Sequence, residues 1–113
     1  MTVISIANDF SSRPLGRYHP EDGQFSGERF RTKFLVPALK QTSNKISINL
    51  DGLKMLTSSF MEEAFGGLVR KEGFDAKELL DRLEFDHTDP FDENYVKEII
   101  ADIREAIPET VGA

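Results

Sequence analysis

An α/β fold is what this chain's pattern of apolar residues predicts, with strands alternating with helices around a largely parallel sheet. Three observations carry that reading. Ile46, Ile48 and Leu50 alternate with Ser47, Asn49 and Asp51, the period of a strand with one apolar face. Phe60, Met61, Ala64, Phe65, Leu68 and Val69 form two rows spaced by four, the signature of an amphipathic helix right after that strand. Val96, Ile99, Ile100, Ile103 and Ile107 make a second helical stripe, which ends at Pro108.

Taken in order, Val3 to Ala7 reads as a first strand with Ile4 and Ile6 on one face. Asp9 to Gly23 is rich in turn formers, and a short second strand is expected near Gly16 to His19. Ser26 is a helix N-cap, with Phe25 and Phe30 at the spacing of a hydrophobic staple. The helix continues through Phe34, Leu35, Ala38 and Leu39. Pro37 lacks an N–H, so the helix should kink or change character there. Ser59 and Glu62 have capping-box spacing, which sets a helix over 59–72. Asp75 and Glu78 cap another short helix ending near Arg82. Leu83 and Phe85 alternate with Glu84 and Asp86 as a brief strand. Asp89 before Pro90 begins the last helix, over 92–107. The resulting order is β, β, α, β, α, α, β, α, which implies parallel crossovers. The strands alternate rather than running continuously apolar, so helices should cover mainly one face of the sheet. Ser5, Ser47, Asn49 and Glu84 would line the other.

With 113 residues, 39% of them apolar and nine Phe, the chain suits one domain spanning residues 1–113 with a real core. No window reaches the roughly 20 apolar residues of a membrane span. The opening MTVISIANDF lacks the charged region and cleavage motif of a signal peptide, and there is no cysteine. The cytoplasm is therefore the expected compartment. The net charge of −6 argues against a nucleic-acid duplex as partner, although Arg13, Arg17, Arg29, Arg31 and Lys33 could form a local basic patch.

Several chemistries can be weighed against plainer roles. Ser59 reads as the N-cap and Ser58 as a loop residue; Ser58 could also accept a phosphate or belong to a docking surface. Gly66 and Gly67 cost a helix interior roughly 1 kcal/mol each against alanine. They read as a bare notch between Glu62/Glu63 and Arg70/Lys71, open either to close packing or to a partner. Arg13 and Arg17 bracket Pro14-Leu15-Gly16. They could bind an anion, but an internal pair with Asp51 is the simpler expectation. Asp86, His87 and Asp89 lack a matching ligand set, so no metal is expected. The run Leu56-Thr57-Ser58-Ser59-Phe60 is not a nucleophile elbow, and there is no P-loop. Glu62 and Glu63 diverge by about 100° on a helix and make no acid/base dyad. No enzyme activity and no cofactor are expected.

The strand–loop–serine–helix arrangement resembles the STAS domain of bacterial anti-sigma-factor antagonists, whose first serine is the phosphorylation site. Here that position is Ser58. Thr57 stands where those domains carry aspartate, and Phe60 where they carry glycine. The chain is more similar still to the bacterial STAS-like domains of unknown function. The shared motifs are Pro14-Leu15-Gly16-Arg17, Ser26-Gly27-Glu28-Arg29-Phe30-Arg31, Pro37, Leu50-Asp51-Gly52 and the run from Ser58 to Leu68. The resemblance implies a mixed, largely parallel sheet of four to five strands with helices mainly on one face. It implies a non-catalytic regulatory module that binds a protein partner, with a serine kinase of the histidine-kinase-like ATPase group as the partner. The surface so implied comprises Thr57, Ser58, Ser59, Glu62, Glu63, Gly66, Gly67 and Arg70. The alternative is a sensor for a small anion or nucleotide at the start of the 59–72 helix, with Arg13 or Arg17 as counter-charge.

Overall fold

The computed structural model describes residues 2–109. Three parallel strands form the sheet in the order β1 (Thr2–Ser5), β2 (Ile46–Asn49) and β3 (Leu83–Asp86). Helix α1 (residues 27–41) connects β1 to β2. Helices α2 (residues 58–70) and α3 (Ala76–Arg82) connect β2 to β3, and α4 (Glu93–Glu105) follows. The architecture is thus α/β around a parallel sheet, with three strands among the described residues rather than the four to five expected.

Residues 15–17 account for the missing strand. Gly16 has a φ of +80°, and the Asp22 carboxylate accepts the N–H groups of Arg17 and Tyr18 at 3.0 and 3.1 Å. A side chain that takes up consecutive backbone donors holds a turn, not a ladder. The segment lies instead along the start of α1, where Gly27 and Glu28 donate to the Gly16 and Arg17 carbonyls. β1 stops two residues earlier than its apolar alternation suggests. The Ser5 hydroxyl accepts the Asn8 N–H, the Asp9 carboxylate accepts the Ser5 N–H, and Ile6–Phe10 coils into a wide turn.

The register explains which face is covered. Ile4, Ile48 and Phe85 share one row, and Thr2, Ile46 and Leu83 the next. These rows face the helices, where Phe65 of α2 meets Phe85 edge-on at 5.8 Å. The alternate row is Val3, Ser47 and Glu84. Val3 is 59% exposed, and the Ser47 hydroxyl donates to the Asp86 carboxylate.

Ser26 caps α1 through the Arg29 N–H, as its position predicts. Phe25 does not reach Phe30 alone; Phe10 lies between them, 5.5 and 5.2 Å from the two rings. Arg31–Leu35 forms a π-turn in which the Val36 N–H reaches the Arg31 carbonyl, just before Pro37. A regular turn would press the proline ring on the carbonyl four residues back. Helix α2 has the same irregularity at Glu62–Gly66, where the Gly67 N–H reaches the Glu62 carbonyl. Asp75 and Asp89 cap through the Glu78 and Phe91 N–H groups.

Ile46, Ile48, Leu50, Phe65, Leu68, Ile99 and Ile103 are all buried. Ile100, expected beside them, is only partly buried, because the core-facing stripe of α4 is Val96, Ile99 and Ile103. Leu50 is completely enclosed, so Leu50→Ala should destabilise the fold by about 2–5 kcal/mol in denaturant titration.

Candidate functional site

Helix α2 starts differently from its sequence pattern. Thr57, not Ser59, is the N-cap, and its hydroxyl accepts the Phe60 N–H at 3.3 Å. The same hydroxyl accepts the Gly16 N–H at 3.4 Å, which ties the Pro14–Arg17 motif to the start of α2. Ser59 Oγ lies 3.4 Å from Thr57 Oγ1. The expected capping box is absent because Glu62 turns away to two arginines. Ser58 occupies the first helical position and is exposed.

The most ordered part of the site lies one turn further on. Glu63 is fully buried, and Arg31 is 3% exposed. Arg31 Nη1 donates to Glu63 Oε2 at 2.7 Å and to the Glu63 carbonyl at 2.6 Å, while Nε reaches Glu72 Oε2 at 3.0 Å. Glu63 Oε1 is 3.2 Å from Arg70 Nη2 and 3.5 Å from Arg17 Nη1. Glu62 pairs with both Arg17 and Arg70. Glu109 also reaches Arg70 Nε at 3.9 Å, so three arginines and four glutamates from α1, α2, the loop before α1 and the segments after α2 and α4 form one network among the described residues. Arg31 and Glu63 sit in the two π-turns, whose widened backbones bring them together.

The glycines belong to this network. A Cβ on Gly67 would strike the Arg31 guanidinium. One on Gly66 would stand 2.8 Å from Glu62 Oε2 and 3.3 Å from the Asp102 carbonyl. One on Gly27 would stand 2.6 Å from the Phe60 carbonyl, so α1 and α2 cross nearly backbone to backbone. The notch read from the sequence is therefore filled from inside the domain. Glu63 through Val69, with Gly66 and Gly67 among them, are buried; Ser58 and Lys71 at the two ends are exposed, and Ser59, Glu62 and Arg70 are half-buried.

The remaining candidates disperse. Arg17 pairs with Glu62 and Glu63 rather than Asp51; Asp51 instead accepts the backbone and hydroxyl of Thr88 at 2.8 and 3.1 Å. Arg13 is exposed. His87 lies 3.0 Å from a Glu93 carboxylate oxygen, which holds its proton more firmly than usual. No group of three or more metal-ligating side chains assembles among the described residues. No described helix is long and apolar enough to cross a membrane. Reading the sequence missed Arg31 and Glu72 as ion partners. The available signal was an arginine standing directly after Phe30 in a helix that is otherwise apolar on that side.

Burial pushes the Glu62 carboxyl up, but hydrogen bonds from Arg17 and Arg70 outweigh this and hold it below its ordinary value. The Glu62 hydrogen bond, working against burial, raises Arg17. With the folded carboxyl lowered, Glu62's contribution is fully present above about pH 4.5 and is lost as pH falls through the folded value. Glu62→Gln should therefore flatten the acid limb of stability measured against pH.

Glu63→Ala leaves Arg31 buried without its carboxylate and should cost about 3–5 kcal/mol in chemical denaturation. Gly67→Ala should also destabilise rather than merely disturb a surface. Thr57→Ala should cost about 1 kcal/mol through the lost cap, with Ser59→Ala costing less; thermal melts of the two variants separate these roles.

The motifs Pro14–Arg17, Ser26–Arg31 and Ser58–Leu68 thus meet in one packed unit. No curated protein and no solved structure was found to match the chain. The family model of the STAS-like domain of unknown function (DUF4325) matches residues 26–93, more than half of the chain, and spans most of the ion network. The chain belongs to this family of STAS-like domains.

Proposed function

We propose that this domain is a non-catalytic regulatory module that binds a protein partner through the first turn of α2 and the loop packed beside it. The observation that carries the reading is the division of labour among three hydroxyls. Thr57 caps the helix and Ser59 lies against Thr57, which leaves Ser58 exposed and without a structural duty. The docking surface is narrower than the 59–72 helix, because Glu63 through Val69 are enclosed. It comprises Thr57, Ser58 and Ser59 with the neighbouring loop. Lys54 N–H donates to the Ser12 carbonyl at 2.8 Å, so Arg13, Leu15 and Lys54, all exposed, lie alongside.

Phosphorylation of Ser58 is the switch in this reading. It would add about two negative charges at the exposed start of α2, enough to change docking without refolding the domain. A serine kinase of the histidine-kinase-like ATPase group is the partner that kinship with STAS domains suggests. A small-anion sensor is the weaker reading. Arg17 is already committed to Glu62 and Glu63.

Mass spectrometry of the protein from its own cells tests the switch, with phosphate expected at Ser58 in some growth condition. Ser58→Ala should keep stability within about 1 kcal/mol because Thr57 supplies the cap. Ser58→Asp should reduce the partner recovered by affinity purification from those cells. Absence of phosphate in every condition, together with unchanged recovery by Ser58→Asp, overturns the switch.

A further inference from the structure

Helix α4 presses Val96, Ile99 and Ile103 into the core and packs most extensively on α2. One polar group is caught in that seam. Asp102 Oδ2 is enclosed and has no hydrogen-bond partner among the described residues. The Asp102 carbonyl lies where α4 passes closest to Gly66 of α2. The charges acting on this carboxyl are mostly negative: Glu98 and Glu105 from α4 and Glu62 from α2. Arg17, from the loop before α1, is the cation among them, and it is already held by Glu62 and Glu63. Helix α3 also packs on α4 and carries Lys77, Glu78, Asp81 and Arg82.

An ionised carboxylate with an enclosed, unpaired oxygen beside three other carboxylates is unfavourable. We propose that Asp102 makes the seating of α4 on α2 proton-dependent: the helix sits closed with Asp102 protonated and loosens when Asp102 ionises, turning the carboxylate toward water. Burial first, and then repulsion from Glu98, Glu62 and Glu105, push the Asp102 carboxyl from 3.8 up to about 6. The closed state therefore binds the proton more tightly than the open state. Closure is fully favoured below 3.8, weakens as pH rises from there through about 6, and then levels off. Linkage gives about a tenfold increase in the opening equilibrium between roughly pH 5 and pH 8. The proposal does not depend on the reading given to the Ser58 surface.

Carboxyl-detected NMR titration of the full chain, with amide hydrogen exchange corrected for intrinsic rates, tests the proposal. Asp102 should titrate near 6, and the α4 amides should lose about tenfold protection over the stated range. Asp102→Asn should remove this pH dependence beyond what the other carboxyls contribute. If that variant does not fold, Glu98→Gln serves instead and should lower the Asp102 midpoint. Titration of Asp102 near 3.8 overturns the proposal, as does identical pH dependence of α4 protection in the wild type and Asp102→Asn.

Discussion

The Arg31–Glu63 pair is the constraint around which the two central helices are arranged. Both side chains are removed from water, and each is supplied with several partners. Burying two charges is unfavourable unless the geometry is good and the remaining donors and acceptors are satisfied. Here the Glu63 carboxylate meets Arg31, Arg70 and Arg17, and Arg31 also takes the Glu63 carbonyl and Glu72. The small residues follow from the same requirement. Gly67 leaves room for the guanidinium, and Gly27 lets α1 approach α2 closely enough for the pair to form. Separating Arg31 from Glu63 would leave a buried charge uncompensated, which ties the seating of α1 on α2 to this contact.

Around this polar lock the apolar layer is conventional. Phe10, Phe30, Phe34, Phe60 and Phe65 pack ring against ring beside the ion cluster, at centroid separations of 5.2–6.2 Å. Ile4, Ile48 and Phe85 provide the sheet's half of the core. The domain is therefore stabilised by an ordinary apolar seam and specified by a small charged one. Ser58, exposed at the start of α2, lies at the edge of this packed unit.

Much of this was legible in the sequence, and the failures share a cause. Period-two alternation located β2 and β3, and helical stripes located α2 and α4, because burial on one side leaves a local pattern. Caps at Ser26, Asp75 and Asp89 were equally legible, being decided within four residues. The strand expected near Gly16 failed because Asp22 captures its donors, and the cap fell to Thr57, whose hydroxyl also accepts the N–H of Gly16, 41 residues away. Gly66 and Gly67 looked like a vacant notch only while Arg31, 36 residues before Gly67, was out of view. Spacing arguments see neighbours along the chain. The site is built from residues that are neighbours only after folding.

The paired π-turns bear on how such a domain can change length. Each wide turn amounts to one residue more than a regular helix holds, and each residue advances the helix by about 100°. A regular helix through 62–66 with every residue kept would rotate one flank of α2 against the other by about that angle. Glu63 could then face Arg31 only if Phe65 and Leu68 left the core. The irregularity in each helix is thus a phase correction that lets one helix satisfy two masters, an apolar sheet and a buried guanidinium. Losing one residue from either turn would regularise it and leave the flanks in phase, so the two wide turns are where these helices can change length by one residue.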